Sequence, residues 1–395
     1  MLTDQNVSQS PLGESLEELN NAHTKAYIPV IIFVICVIVV GFASNALAFI
    51  FFSKKVIKSS FLYFISAISL NDALLNLVYI LDLVALFQYI NNDNIACKFY
   101  FFFTHWLVGN SLILILAISV DRFRRVVYPF ARQIKVKMAK NFVIGIALLS
   151  LVMSVHFCYT SGIEPVEFPK GSNLTVVGYM CTRSKEYPQA TVSKVFHILY
   201  ICYHVPSVGF VIISYIIIVK KLISLRNKVK SNIDVSAHRK KPEDGSSGLP
   251  TMENQTVETV MDHPSNQSKN KESGKRSLLN LERPSESKPS GSNVVVSRKR
   301  GPSTLSESER AFSITAFVIS ITSILCFVPY YVNVSISEPN LDGISLVHSV
   351  AHMIIRRFFM FNSTVNPFIL FYFNSAFRSF VVNILCCLCQ RVRRL

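Results

Sequence analysis

The stretch IPVIIFVICVIVVGFASNALAFIFF, residues 28–52, contains no charged side chain. About 20 apolar residues in an α-helix are enough to cross the ~30 Å hydrocarbon core of a bilayer. A surface helix of a soluble protein would carry a polar face, which this run lacks. We therefore interpret residues 28–52 as a transmembrane helix.

Six further apolar runs of similar length follow, at 61–86, 99–120, 142–160, 195–219, 312–335 and 344–373. Only 16% of the 395 residues are charged, whereas soluble domains carry about 25%. The last run contains Arg356 and Arg357, which the interior of a bundle can accommodate. The predicted fold class is an all-α membrane protein, a seven-transmembrane helix bundle, with a short amphipathic eighth helix within residues 374–395.

Lysine and arginine are distributed unevenly between the two sides of the predicted bundle. The connections after the first and third spans are rich in them, whereas 88–98 contains only Lys98 and 336–343 contains none. Because positive loops remain in the cytosol, we expect an extracellular N-terminal tail (1–26), a cytoplasmic C terminus and a plasma-membrane location. Most of the residues that give the net charge of +16 then lie on the cytoplasmic side, beside anionic membrane lipid. The positive charge is explained in this way, so nucleic acid is not an expected partner.

A long polar segment, residues 222–309, separates spans one to five (27–221) from spans six and seven (310–373). It is rich in Ser, Lys, Glu, Asn and Pro and poor in aromatic residues, so it cannot bury enough apolar surface to fold. We predict a disordered cytoplasmic third loop. Its serines after Arg298–Arg300 are candidate phosphorylation sites, and an unmodified solvated linker is the alternative.

The third span ends in LAISVDRFRRVVYPF, residues 116–130. An arginine at this depth that faces the bundle needs an acidic partner. Asp121 is adjacent to Arg122, and Glu309 lies at the start of the sixth span. We predict an ion pair between Arg122 and Glu309 that joins two helix ends and whose rupture would open the cytoplasmic face.

These motifs together resemble those of the rhodopsin-like (class A) G-protein-coupled receptors. The resemblance covers about residues 27–385 without the insert, and rests on GFASNALAF (41–49), SLNDALL (69–75), DRF (121–123), Pro206, CFVPYY (326–331) and NSTVNPFIL (362–370). The sequence departs from the family pattern at Phe123, Phe327 and Leu370, where the family usually has Tyr, Trp and Tyr.

The resemblance implies a receptor that binds an extracellular ligand and activates a heterotrimeric G protein when the sixth helix opens. Arrestin and receptor kinases are further partners that it implies. The switch residues that it assigns are Asp121, Arg122, Glu309, Pro329, Asn366 and Pro367. The sequence shows neither catalytic motifs nor the internal repeat typical of the alternative class, a transporter, so we do not expect an enzyme.

Five polar residues are predicted to lie at one depth within the bundle: Asp72, Ser111, Asn362, Ser363 and Asn366. A lone carboxylate there is costly, and five oxygens suit a small hard cation. The resemblance implies a sodium ion that stabilises the inactive state, although no other cofactor is expected. The alternative is a protonated Asp72 in a hydrogen-bonded network.

Cysteines and sequons predict several modifications. The resemblance implies a disulfide between Cys97 and Cys181, which an oxidising exterior permits. Three cysteines of the predicted eighth helix are candidate palmitoylation sites, with free thiols as the alternative: Cys386, Cys387 and Cys389. The outer sequons at Asn6 and Asn173 are candidate glycosylation sites.

The class of ligand is predicted from residues in the outer half of the bundle. The amine receptors' aspartate position is Thr104, and the retinal lysine position is Met360, so both ligand classes are disfavoured. The predicted pocket has mixed charge and comprises Asp82, Thr104, His105, Phe327, Tyr330 and Arg356. We expect a short, basic neuropeptide-like ligand. The alternatives are a lipid or small chemosensory ligand, or a bracing pair between Asp82 and Arg356.

Overall fold

A computed structural model describes residues 11–54, 59–87, 93–170, 174–184, 189–238, 307–335 and 346–392. The predicted disorder at 239–306 and the sequons at Asn6 and Asn173 lie outside these residues. Helices occupy most of the described chain. They are α1 Pro11–Ala26, α2 Ile28–Lys54, α3 Ser60–Phe87, α4 Asn94–Val127, α5 Val136–Ser154, α6 Phe157–Thr160, α7 Gln189–His238, α8 Glu307–Ser335, α9 Leu346–Arg356, α10 Phe361–Phe373 and α11 Ser375–Val392.

Six of the described helices are long and apolar enough to cross a membrane. A bent pair of segments, 358–373 and 375–391, raises the number to seven if it is taken as one span. The seventh predicted span is itself interrupted, because α9 ends at Arg356 and a 3₁₀ turn, Phe358–Met360, precedes α10. The all-α membrane fold with a C-terminal helix is therefore confirmed.

Two helices extend beyond the apolar runs that predicted them. The helix of the fifth span continues to His238 and that of the sixth begins at Glu307, so residues 222–238 and 307–309 are helical, contrary to the disorder predicted for them. Hydropathy marks where hydrocarbon ends, whereas a helix can continue into water. The N-terminal tail also contains a helix, α1, which the sequence analysis did not predict.

A β-hairpin follows α6, formed by β1 (Ser161–Lys170) and β2 (Leu174–Arg183). The strands are antiparallel, with Ile163 opposite Cys181. Cys181 is joined by a disulfide to Cys97 near the start of α4, which confirms the predicted bond. The hairpin is thereby attached to one end of the bundle, which we call the disulfide end.

The exterior of the bundle is more apolar than that of a soluble protein, and its interior contains polar groups beside an apolar core. Buried positions include many polar groups, whereas large apolar side chains such as Val39, Ile144 and Ile213 are exposed. An apolar exterior is what lipid contact requires, and polar groups in a membrane must find partners inside the bundle. Prolines occur within α7, α8 and α10, where neighbouring helices can compensate for the lost backbone bond.

The C-terminal helix α11 turns away from α10 by 106°. The Asn374 side chain caps it by accepting a hydrogen bond from the Phe377 backbone N–H at 3.0 Å. Phe377 is buried and its ring packs against Phe51 and Phe52 of α2. The three candidate palmitoylation cysteines of α11 are all exposed.

Candidate functional site

An ion pair between a buried arginine and a partly exposed glutamate joins α4 to α8. It lies at the end of the bundle opposite the disulfide, which we call the Arg122 end. Arg122 has no exposed surface, and its Nη1 donates to Glu309 Oε2 at 2.8 Å. Its Nε donates to Asp121 Oδ2 at 3.0 Å, and its guanidinium carbon lies 4.7 Å from the centre of the Phe61 ring. The contact predicted between Arg122 and Glu309 is present.

A second arginine, Arg125, takes part in the same cluster and was missed by the sequence analysis. Its Nε and Nη1 lie 3.3 Å from Asp121 Oδ2 and 3.5 Å from Glu309 Oε1. Its Nη2 donates to Ser60 Oγ of α3 at 3.0 Å, and Ser60 donates in turn to Asp121 at 2.5 Å. The sequence feature that could have predicted this contact is the i, i+4 spacing of Asp121 and Arg125, which places them on one helix face.

Two carboxylates and two guanidinium groups thus share one cluster, which we call the charge cluster (Asp121, Arg122, Arg125 and Glu309). Burial of ions is costly unless they are paired and hydrogen-bonded. Asp121 and Arg122 are 1% and 0% exposed, whereas Glu309 is 27% exposed. Glu309 and Arg125, which is 20% exposed, are therefore the members of the cluster that water can reach. Loss of the Glu309 carboxylate would remove both arginine contacts between α4 and α8.

Asp72 of α3 is the centre of a polar network inside the bundle. It is fully buried. Its Oδ1 accepts from Ser111 Oγ at 2.7 Å and its Oδ2 accepts from Asn366 Nδ2 at 2.9 Å. Two of the other four predicted oxygen-bearing residues, Ser111 and Asn366, are therefore bonded directly to the Asp72 carboxylate.

The other two predicted members are close to this network without bonding to the Asp72 carboxylate. Ser363 Oγ accepts from Asn76 Nδ2 at 3.3 Å, and the same amide donates to the Asp72 carbonyl at 2.7 Å. Asn362 is buried. Asn76 was not predicted to belong to the network, although it lies four residues after Asp72 on the same helix face. The Asn76 side chain packs closely against α2. A Cβ atom at Gly41 would lie 2.7 Å from Asn76 Cγ, so α2 needs a glycine at position 41.

The residues of the network fit a small hard cation. Several buried side-chain carbonyl oxygens have no hydrogen-bond partner: those of Asn45, Asn76, Asn110, Asn362 and Asn366. Carboxylate and amide oxygens are the ligands that hard cations prefer. Within the described ranges, by contrast, no three His, Cys, Asp or Glu side chains converge on a metal position.

At the disulfide end, Asp82 of α3 pairs with Arg357, so the alternative of a bracing pair between Asp82 and Arg356 names the wrong arginine. Arg357 Nε and Nη2 lie 2.8 and 3.2 Å from the two Asp82 oxygens, and Tyr100 donates to Asp82 at 3.0 Å. Arg356 is exposed. The reason is that α9 ends at Arg356, so that Arg357 (φ −100°, ψ 1°) leaves the helical path before the 3₁₀ turn.

The remaining predicted pocket residues belong to separate clusters. His105 stacks on Phe157 with ring centres 3.7 Å apart, whereas Phe327 is buried and stacks on Phe359 at 6.4 Å. Thr104 is buried and its hydroxyl has no hydrogen-bond partner. The side chain of Tyr330 lies outside the described part of the structure. The contacts of His105 and those of Asp82 do not overlap.

The described chain forms a membrane helix bundle with a buried polar network. A charge cluster lies at one end of the bundle and a disulfide-anchored hairpin at the other. Together these features are those of a seven-helix membrane receptor. A protein-family comparison agrees, because the model for "7 transmembrane receptor (rhodopsin family)" matches residues 44–370. The chain belongs to that family. Comparison with curated proteins finds no matching relative.

Membership establishes the coarse function. The chain is a multi-pass membrane protein and a class A G-protein-coupled receptor, not an enzyme. Such a receptor responds to an extracellular ligand and signals through a G protein. The resemblance stated from the sequence motifs is thereby confirmed at the level of the family.

Proposed function

We propose that this receptor binds a short extracellular peptide and activates its G protein when α8 moves away from α4. The observation that carries the switch is the Arg122–Glu309 bond between these helices. A ligand that favours the open arrangement shifts the population of a two-state element. Pro329 in α8 is the proposed pivot, and Asn366 and Pro367 in α10 are the proposed switch residues beside the Asp72 network.

We propose further that the Arg122 end faces the cytosol of a plasma-membrane receptor. The connections at this end contain most of the short-loop lysines and arginines, and positive loops stay inside. The disulfide supports the same orientation, since such bonds persist in an oxidising exterior. Palmitoylation of Cys386, Cys387 and Cys389, glycosylation of Asn6 and Asn173, and binding of arrestin and receptor kinases are further proposals that follow from this orientation.

Replacement of Glu309 by glutamine is expected to raise the receptor's ligand-independent activity. The charge cluster then has one carboxylate for two guanidinium groups, so the closed arrangement loses attraction. An ion pair with an accessible partner contributes about 1 kcal/mol, which corresponds to an increase of about fivefold in the open population. The measurement is basal nucleotide exchange on G protein, compared at equal surface expression.

The matched control is Arg310→Gln, at the next residue, which is exposed. It removes one charge from the same turn of α8 without touching Arg122 or Arg125. Basal exchange should stay at the level of the unmodified receptor. Equal exchange by the Glu309→Gln variant and the unmodified receptor would contradict the switch.

The peptide ligand is supported by the chemistry of the disulfide end. This end contains a buried ion pair, Asp82–Arg357, and a further arginine, Arg183, in β2. Asp82 and Arg357 balance each other, so Arg183 is the charged group of this end that would complement a charged end of a peptide.

The Asp72 network is proposed to hold a sodium ion. Asp72, Ser111, Asn362, Ser363 and Asn366 would supply its oxygens, and Asp72 supplies the charge. A bound cation neutralises the buried carboxylate and holds α3, α4 and α10 together, which favours the closed arrangement. An ion that binds only the folded receptor also stabilises it.

Sodium should therefore raise the apparent melting temperature of the purified receptor, and Asp72→Asn should abolish that effect. The comparison is made between sodium chloride and N-methylglucamine chloride at equal ionic strength. Asp82→Asn is the control, because it removes a second buried carboxylate of the same helix outside the network. It should lower stability yet keep the sodium effect. A sodium effect that survives in Asp72→Asn would refute the ion site.

A further inference from the structure

Arg183 of β2 has an unusual set of neighbours at the disulfide end. Its Nη2 lies 3.3 Å from His105 Nε2 of α4. Its guanidinium carbon lies 5.1 Å from the centre of the Phe157 ring in α6. The side chain therefore spans the gap between the hairpin and the helices beneath it.

The protonation of His105 follows from its two hydrogen bonds. Its Nδ1 lies 2.8 Å from the Phe101 carbonyl oxygen, which can only accept, so Nδ1 carries the hydrogen. Its Nε2 faces a guanidinium group, which can only donate, so Nε2 is the acceptor. The imidazole is therefore neutral and positions Arg183 without cancelling its charge.

The two arginines of this end differ in how their charge is balanced. Arg357 forms a two-point contact with the Asp82 carboxylate. Among the residues that the structure describes, Arg183 has no carboxylate partner, and its contacts are the neutral imidazole and a ring face. A partly buried cation held in place by neutral groups keeps its attraction for an anion.

The position of Arg183 is well fixed by covalent and backbone contacts. It pairs with Ser161 in the β1–β2 ladder and lies two residues after Cys181, whose disulfide leads to α4. A guanidinium group has five N–H donors, and only one of them is engaged with His105. Preorganised donors bind with little loss of conformational freedom.

We propose that Arg183, positioned by His105 and Phe157, binds a carboxylate group of the ligand. The planar fork of a guanidinium group matches a carboxylate in two-point contact, and its single unbalanced charge matches a single negative charge. This inference rests on the proposed ligand-binding function of the disulfide end. The carboxylate belongs either to a peptide, at its C terminus, or to a small organic acid.

The test is a binding measurement that does not involve the G protein. Purified receptor is heated with a library of tripeptides that have free C termini, with the same library amidated, and with a panel of small mono- and dicarboxylic acids. Organophosphates form a fourth set. The unmodified receptor is compared with Arg183→Gln, Arg183→Lys and the control Arg356→Gln, an exposed arginine of the same end.

We expect stabilisation by free-acid tripeptides and at least about tenfold weaker binding to Arg183→Gln, because a hydrogen-bonded charge partner is lost. Arg183→Lys should recover only part of the affinity, since a lysine lacks the fork. Arg356→Gln should bind normally. Binding of the small acids alone would assign the carboxylate to that source.

Three results would overturn the proposal: equal affinity for the amidated and the free-acid form of a peptide that binds, unchanged binding by Arg183→Gln, or tighter binding of organophosphates than of carboxylates. Absence of stabilisation by every carboxylate at millimolar concentration would do so as well. If the proposed switch is wrong, the Glu309→Gln variant will show unchanged nucleotide exchange. The binding measurements on Arg183 do not depend on that result.

Discussion

Replacement of Arg122 by alanine should reduce nucleotide exchange on the G protein to the level of cells that lack the receptor. Arg122 is fully buried, bonds to Asp121 and Glu309, and lies over the Phe61 ring. The closed arrangement loses the shorter of the two arginine contacts with Glu309 of α8 and keeps that of Arg125. The proposed open arrangement loses the cation that it would present to the inserted helix of the G protein. We expect the loss of this contact with the G protein to outweigh the weakening of the closed arrangement. Nucleotide exchange should therefore fall, because the open receptor lacks the arginine that would bind the G protein.

Arg125→Ala is the matched comparison, since it removes the other guanidinium of the charge cluster and leaves Arg122 in place. Arg125 is 20% exposed and bonds to Asp121, Glu309 and Ser60. Its loss weakens the closed arrangement only, so basal exchange should rise. Both variants are compared at equal surface expression. Exchange by Arg122→Ala at the level of the unmodified receptor would contradict the assigned role of this residue.

The spans could be predicted because their signal is local in the sequence, and the Arg122–Glu309 contact could be predicted because Glu309 is the acid at the start of the sixth span. Each apolar run reports directly on membrane thickness, and the buried arginine demanded an acid at the same depth. The disulfide followed from the family resemblance. The helical continuation of α7 to His238 could not be predicted in the same way, since hydropathy does not report where a helix ends in water.

The arginine that pairs with Asp82 could not be chosen from the sequence. Arg356 and Arg357 are adjacent and chemically identical, and they differ only in the direction in which their side chains leave the backbone. That direction depends on α9 ending at Arg356, before a 3₁₀ turn, and no proline or glycine in HMIIRRFFMF marks the change. The partnership of Arg183 with His105 is equally hidden, because a strand and a helix far apart in sequence supply it.

The Asp82–Arg357 pair should be the most costly polar contact of the disulfide end to break. Asp82 and Arg357 side chains are 7% and 14% exposed, and Tyr100 donates to the same carboxylate. Removal of one partner leaves the other charge buried and unbalanced, which costs about 3 kcal/mol or more. Asp82→Asn and Arg357→Gln should each lower the apparent melting temperature of the purified receptor, whereas Arg356→Gln should leave it unchanged.

The double variant, Asp82→Asn with Arg357→Gln, distinguishes a bracing pair from two independent contributions. Both charges are then absent, so neither is left unbalanced, and the combined loss should be smaller than the sum of the single losses by about 1–3 kcal/mol. Strictly additive losses would show that the two side chains stabilise the helices separately. Non-additive losses of stability would show that Asp82 and Arg357 act as a pair that braces the helices. If the same variants bind carboxylates normally, Arg183 is the cation that contacts the ligand.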